Sequence, residues 1–334
     1  MRKMKTLAAV LLIAALTLGV FAACGLSKKD PNPDDTTVPE VIEPKHSVAV
    51  LKGPSSLGAM QIMNTPTEYK TTVYTTPQEV AAQLTANKVD FAVLPLNMAS
   101  TLYNVNGGDI ALLNIGTLGV LYILERGNSV NSIADLKGKT VYSSGQGATP
   151  EFVLDYVLNE NNLNPTKDLS VNWLPDHAAL SSLLLTGGAD IALLPEPNAS
   201  IALAKDNTLR RAIDLNTAWS DVTDGGKLAM SGMVVRRSLL KEDPEAVKQF
   251  ILDYASSVNY VNGNPAIAAN LAVKFGLLED EELAKTVIPK CNLVTISGAE
   301  MAKTARENLK VLFDANAKSI GGAMPKDNFY YIAD

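Results

Sequence analysis

Asp90-Phe-Ala-Val-Leu-Pro95 recurs one hundred residues later as Asp190-Ile-Ala-Leu-Leu-Pro195. Aligning residues 89–100 with 189–200 gives six identities in twelve positions, where average composition would give about one. Both copies are short apolar runs of the kind that form a parallel strand buried on two faces. A helical stretch precedes each, Pro77 to Lys88 in the first and His177 to Thr186 in the second. Thr76-Pro77-Gln78-Glu79 supplies a cap, a first-turn proline and an acid at the third position, and Asp176 is placed to cap the second helix.

The correspondence extends upstream. Val48-Ala-Val-Leu51 is a continuous apolar run that ends at Gly53-Pro54-Ser55-Ser56, before a helical Leu57 to Met63. Its counterpart, Lys139-Thr-Val-Tyr142, leads through Ser143-Ser144-Gly145-Gln146-Gly147-Ala148-Thr149-Pro150 to a helical Glu151 to Leu158. Strand, helix, strand, helix, strand in each half predicts an α/β protein of two lobes, each a mainly parallel sheet flanked by helices. Crossings between lobes are expected near Thr117 to Glu125 and Met230 to Arg236. Lobe I is then 46–119 plus 236–334, and lobe II is 120–235. Asp243-Pro244 and Asn264-Pro265 start helices expected to pack on lobe I, and Phe329-Tyr330-Tyr331 reads as a packed tail.

The 334 residues are 47% hydrophobic and 19% charged, with 29 basic against 35 acidic side chains. Disordered and fibrous classes are excluded by that composition. Arg2, Lys3 and Lys5 precede an uncharged apolar run from Thr6 to Ala23, which reads as a secretory leader over 1–23. Without it 26 basic side chains face 35 acidic ones, a net of −9, which disfavours nucleic acid as a partner. Nothing else approaches the roughly 18 uninterrupted apolar residues of a membrane span. Phe21-Ala-Ala-Cys24 resembles the lipobox of bacterial lipoproteins, with Phe21 where Leu is usual. That resemblance implies lipidation of Cys24 and cleavage before it, two acyl chains being enough for stable anchoring; a secreted protein with a chance cysteine is the alternative. Residues 24–45, with four prolines among polar residues, read as an extended tether. Only Cys291 then remains, so no intramolecular disulfide is expected.

In open parallel sheets ligands bind beyond the carboxyl ends of the strands, where helix N-termini present backbone N–H groups. The candidates there are Gly53, Pro54, Ser55, Ser56 and Asn97 in one lobe, Gly145, Gln146, Gly147, Ala148, Thr149, Glu196 and Asn198 in the other, and Thr117 at the crossing. Ser55, Asn97, Thr149 and Asn198 could equally be helix caps. Glu196 has Leu96 as its repeat partner, so a carboxylate there is not needed by the fold. Glu196→Gln is accordingly expected to weaken binding at least tenfold, as loss of a charge-assisted contact does, with thermal stability unchanged. Asp90 and Asp190 begin their strands, away from the cleft, and read as structural turn residues. Tyr122 and Trp219 are either cleft walls or core. Lys52 and the helix N-termini favour an anion locally, while a cleft-facing Glu196 suits a zwitterion or an aminopyrimidine.

Catalytic and cofactor signatures are weak. The two histidines, His46 and His177, do not suggest a zinc site or a Ser-His-Asp triad. Walker A and Gly-x-Ser-x-Gly patterns are absent, and Gly145-Gln-Gly147 lacks the third glycine of a dinucleotide loop, position 150 being proline. No cofactor, metal or catalytic residue is expected.

The lipobox, Gly53-Pro-Ser-Ser-Leu-Gly58, Leu94-Pro95, Asp135-Leu-Lys-Gly-Lys139 and Leu194-Pro-Glu-Pro197 together resemble solute-binding proteins of ABC importers, nearest the nitrate, sulfonate, taurine and thiamine-precursor group. The similarity spans residues 46–334. It implies a type II periplasmic-binding-protein fold with two crossing strands and a small polar or anionic organic solute held between the lobes. It also implies delivery to a permease with a cytoplasmic ATPase, from a monomer tethered through Cys24 to the outer face of a bacterial cell membrane. An enzyme on the same fold, of the menaquinone- or thiamine-pathway kind, and a ligand-binding module for a sensor are the alternatives.

Overall fold

The repeated runs are strands whose five residues are all buried, and the architecture grows from them in a computed structural model that describes residues 44–65 and 69–332. The expected leader, Cys24 and almost all of the tether lie outside the described residues. The first half runs β1 His46–Leu51, α1 Pro54–Gly58, α2 Met60–Asn64, β2 Tyr69–Tyr74, α3 Pro77–Thr85, β3 Phe91–Pro95, α4 Leu96–Val105 and β4 Ile110–Leu118. The second runs β5 Leu121–Arg126, β6 Thr140–Ser144, α5 Thr149–Glu160, β7 Ser170–Leu174, α6 His177–Leu185, β8 Ile191–Pro195, α7 Asn198–Lys205, β9 Leu209–Asp214 and α8 Leu215–Val222. The chain then returns through β10 Ala229–Arg236, α9 Arg237–Glu242, α10 Pro244–Gly263, α11 Pro265–Lys274, α12 Glu281–Val287, β11 Leu293–Ser297 and α13 Gly298–Ala315.

Two mixed sheets result, ordered β11-β4-β10-β3-β1-β2 and β7-β6-β8-β5-β9. In each, three parallel strands (β2-β1-β3 and β7-β6-β8) carry the carboxyl ends where ligands bind; β10 joins the first sheet antiparallel to β3 and β4, and β5 joins the second antiparallel to β8 and β9, so β4 and β9 run in the same direction as the three. The sheets are mixed, with most strands running one way as expected and β10, β11 and β5 running against them. The outward crossing is Gly119-Val120. The expected second crossing strand, Met230 to Arg236, pairs with β3 and β4 along its length. It thus lies inside the first sheet, and the return takes place before it, at residues 223–228. Strand β11, absent from the sequence reading, adds an edge to the first sheet.

The turn aspartates differ in partner but not in place. Asp90 accepts from the Ser47 amide and hydroxyl, both at 2.9 Å, and pairs with Arg236. Its carbonyl accepts from the Arg236 N–H at 3.1 Å, and the Asp190 carbonyl accepts from the Arg126 N–H at 2.7 Å. Thr76 and Glu79 form the expected reciprocal cap on α3, and Asp176 caps α6 through the Ala179 N–H at 2.7 Å. Phe91 stacks on Phe250 of α10 at 3.8 Å between ring centroids, in a core on one face of the first sheet. A second apolar cluster contains Leu112, Val234 and Met301 of the first lobe together with Ile123, Val153 and Trp219 of the second. Trp219 is therefore core, its ring 5.3 Å from Tyr156. The tail packs as well: Phe329 and Tyr330 are buried, and the Tyr331 N–H donates to Leu112 O at 2.9 Å.

Asp155 of α5 is half-buried, and burial, followed by Glu151 one turn earlier, pushes its carboxyl up to about 6. A raised folded-state acid costs stability once it ionises. The cost is absent below its ordinary value of 3.8, grows between there and about 6, and is complete above. Asp155→Asn is thus expected to raise the thermal midpoint at pH 8 and leave it unchanged at pH 3.5; equal shifts at both pH values would contradict this.

Candidate ligand-binding site

The carboxyl ends of six strands, three from each sheet, converge on one cavity of about 370 Å³. The lower range of small-molecule pockets includes this size. From the first lobe come the turn after β1 (Leu51 to Ser55), the turn after β2 (Thr75 to Gln78) and Pro95. From the second come Gly145, Gln146 and Ala148 to Pro150 after β6, Trp173 to His177 after β7, and Pro195, Glu196 and Asn198 after β8. Thr117, Val120, Met230 and Ser231 close it along the crossings. Gly145 sits at φ +83°, and a Cβ there would lie 3.2 Å from the Pro150 ring, so the turn demands glycine.

Of the residues singled out from sequence, Gly53, Pro54, Ser55, Thr117, Gly145, Gln146, Ala148, Thr149, Glu196 and Asn198 line this cavity, whereas Ser56, Asn97 and Gly147 do not. Ser56 turns back on its own loop, its Oγ donating to Gly53 O at 2.9 Å and accepting from Gly53 N at 3.1 Å. Ser55 does likewise with Leu51. Asn97 is buried and joins the lobes: Nδ2 donates to Gly147 O at 3.2 Å and Ser319 O at 3.1 Å, and Oδ1 accepts from Thr149 Oγ1 at 3.1 Å. Gly147 in turn donates its N–H to Glu151 Oε2 at 2.5 Å.

Glu196 is fully buried, and its carboxylate is committed within the second lobe. Oε2 accepts from the Ser200 N–H and Oε1 from the Ser200 hydroxyl, both at 3.0 Å, and Oε1 pairs with Arg211. Arg211 also donates to Ser200 Oγ at 2.8 Å and lies 4.2 Å over the Tyr122 ring, so Tyr122 backs this pair and is not part of the cavity lining. Burial raises the Glu196 carboxyl, with Arg211 opposing. The expectation that Glu196→Gln would spare stability is corrected: the carboxylate balances a guanidinium, and replacing it disturbs that balance.

Sequence reasoning missed the turns after β2 and β7. Thr76 and Asp176 cap their helices as expected, and in each half they also follow the second parallel strand, whose carboxyl end faces the same cavity. His177, at the wall, has Nδ1 2.5 Å from Ser144 Oγ, and burial holds its imidazole down at about 4, Asp176 opposing weakly. It is therefore neutral at physiological pH. Thr117 Oγ1 is buried without a hydrogen-bond partner. Among the described residues no cluster of His, Cys, Asp and Glu could hold a metal ion, and no helix is long and apolar enough to cross a membrane.

Residues 61–280 match the family model of the phosphonate-binding periplasmic substrate-binding proteins of ABC transporters. The chain belongs to that family. Among solved structures, an ABC transporter protein from Parabacteroides distasonis is 26% identical and superposes with a TM-score of 0.73 over 87% of this chain and 99% of that one. The periplasmic aliphatic sulphonate-binding protein SsuA from Escherichia coli is 15% identical, with a TM-score of 0.67 over 86% and 93% of the two chains. A Bacillus subtilis protein, YtlA, named only as a binding protein, is 24% identical over 139 residues, 42% of this chain and 40% of its own length. This phosphonate-binding family member has the type II periplasmic-binding-protein fold. It is a substrate-binding component of the ABC transporter kind, in a family of periplasmic substrate-binding proteins.

Proposed function

We propose that this chain captures a small organic solute between its two lobes and delivers it to an ABC permease driven by a cytoplasmic ATPase. The observation that supports this is the cavity itself, built from strand ends of both sheets. A solute touching both walls favours the closed arrangement of the lobes by its differential contacts, and closure presents a surface for the permease. The first lobe is 46–119 plus 229–334 and the second 120–228, the expected boundary at 235 moving because strand β10 lies in the first sheet. Gly53, Pro54, Ser55, Thr117, Gly145, Gln146, Ala148, Thr149, Glu196 and Asn198 form the walls, and Ser56, Asn97 and Gly147 brace them.

Cys24, lipidated after removal of 1–23, holds the protein as a monomer on the outer face of the membrane. Cys24→Ser is expected to move the protein from the membrane fraction to the medium or periplasm; retention in membranes would point to another anchor.

The solute released by unfolding the purified protein, identified by mass spectrometry and returned to refolded protein, is expected to bind one to one and be recovered unchanged. At about a hundred times its dissociation constant it adds about 2.7 kcal/mol of stability. Recovery of an altered compound would favour an enzyme on this fold, and failure to rebind would remove the receptor reading.

A further inference from the structure

The chain has two tryptophans, and they are held in opposite ways. Trp219 is buried in the apolar cluster that links the lobes, against Tyr156. Trp173, next to last in β7, is only partly buried and belongs to none of the apolar clusters of either lobe. Val171, two residues earlier and so on the same face of the strand, still packs against the cluster around Trp219. Between these two residues that face of β7 runs out of the core. Among the described residues the Trp173 indole has no aromatic partner, and its Nε1–H has no acceptor. An indole is the largest apolar side chain, and a position outside the core, partly in water, forgoes much of the stability its burial would bring.

The indole instead lines the cavity. No phenylalanine or tyrosine among the described residues does so, and the first lobe contributes apolar groups to the same cavity in Leu51, Pro54 and Pro77. At about 370 Å³ the space is of the size that holds an organic molecule, and a small inorganic anion would leave most of it to water. Donors for a polar end remain beside this apolar wall. The first-turn N–H groups of Gln78, Thr149, His177 and Asn198, all lining residues, have no acceptor within the protein. They are open to an acidic or a carbonyl head group alike, so it is the body of the solute, not its head, that the wall selects.

We infer that Trp173 is a specificity-determining residue of this cleft, and that the solute carries a planar ring that stacks on its indole. This rests on the cavity being the solute site. Stacked rings gain more than the burial of their area alone, and closing the first lobe's apolar residues over a ring held on Trp173 removes both of its faces from water.

Two pairs of probes, each sharing a head group and differing in body, test this: phenylphosphonate with methylphosphonate, and benzamide with acetamide. With solute-free refolded protein, calorimetry is expected to show the ring-bearing member at least about tenfold tighter in whichever pair binds. Trp173→Ala is expected to bring the two members within about threefold of each other, and Trp173→Phe to keep a preference of about fivefold or more. The ring-bearing probe is also expected to change the indole emission of the wild-type protein and not that of Trp173→Phe, whose remaining tryptophan lies in the core. Because Trp173 stands outside the core, the thermal midpoint of Trp173→Ala should stay within about 3 °C of wild type. Equal affinities within a pair, a ratio that survives Trp173→Ala, an emission change that persists in Trp173→Phe, or a midpoint loss of the size seen for core residues would each overturn the inference and leave the receptor reading standing. Silence of all four probes up to about 10 mM would overturn it too. The receptor reading itself fails only if the solute recovered from the protein does not rebind.

Discussion

Arg211→Met is expected to destabilise the protein by about 3 kcal/mol at pH 7 to 8, the lower end of what breaking a buried pair costs. The lower end applies because Arg211 is 30% exposed while Glu196 is fully buried. Removing the guanidinium leaves a buried carboxylate with the Ser200 amide and hydroxyl but without its counter-charge. For a body of this size the midpoint should fall by about 6 °C. The loss should depend on pH in a definite sense. Burial already raises the folded-state value of Glu196 above its ordinary 4.5 against the pull of Arg211, and without Arg211 it rises further. The deficit is therefore full at neutral pH and narrows as pH falls toward the ordinary value, where the unfolded chain also takes up the proton. Arg211→Met with Glu196→Leu should recover most of the stability, since a buried pair replaced by apolar side chains is often neutral. A deficit that is the same at pH 4.5 and pH 8, or a double variant no better than the single one, would contradict this account.

Asn97→Ala is expected to act on closure. The amide carries two hydrogen bonds between lobes, to Gly147 O and from Thr149 Oγ1, and a third to Ser319 O. At about 1 kcal/mol net for each bond between lobes, their loss shifts the open-to-closed balance by about 2 kcal/mol, a factor of roughly 30. Small-angle scattering should report a larger radius for the variant, and the solute recovered from wild-type protein should bind it about 30-fold more weakly, because closure then draws on binding energy. An unchanged radius and affinity would show that the lobes are held by the apolar cluster beneath them instead.

Much of the frame was legible because both faces of β3 and β8 are buried, which forces continuous apolar runs, and because the repeat spacing is free of insertions at that point. The carboxyl-end rule then located most of the cavity. What escaped has identifiable causes. Strand β11 is short and only half-buried over most of its length, so it carries neither alternation nor an apolar run. Asn97 sits at a strand end like a cap, but its partners are 50 and 222 residues away, and no local pattern encodes them. Nothing near Glu196 in the sequence announces its cation, because Arg211 is 15 residues on, on β9, which is separated from β8 in the sheet by β5. Thr76 and Asp176 carry local cap signals, and nothing local says that a cap also faces a cavity.

Strand β10 comes from the far side of the second lobe in chain order, yet it lies between β3 and β4 in the first sheet. As the chain emerges from the ribosome, β1, β2 and β3 can pair among themselves, but the outer edge of β3 has no neighbour until residues 229–236 have been made. The second sheet, by contrast, is complete in sequence by Asp214. Synthesis order and assembly order are thereby reversed: the half that begins first finishes last. Such long-range pairing is slow to form, so the chain spends its early life without a finished first sheet.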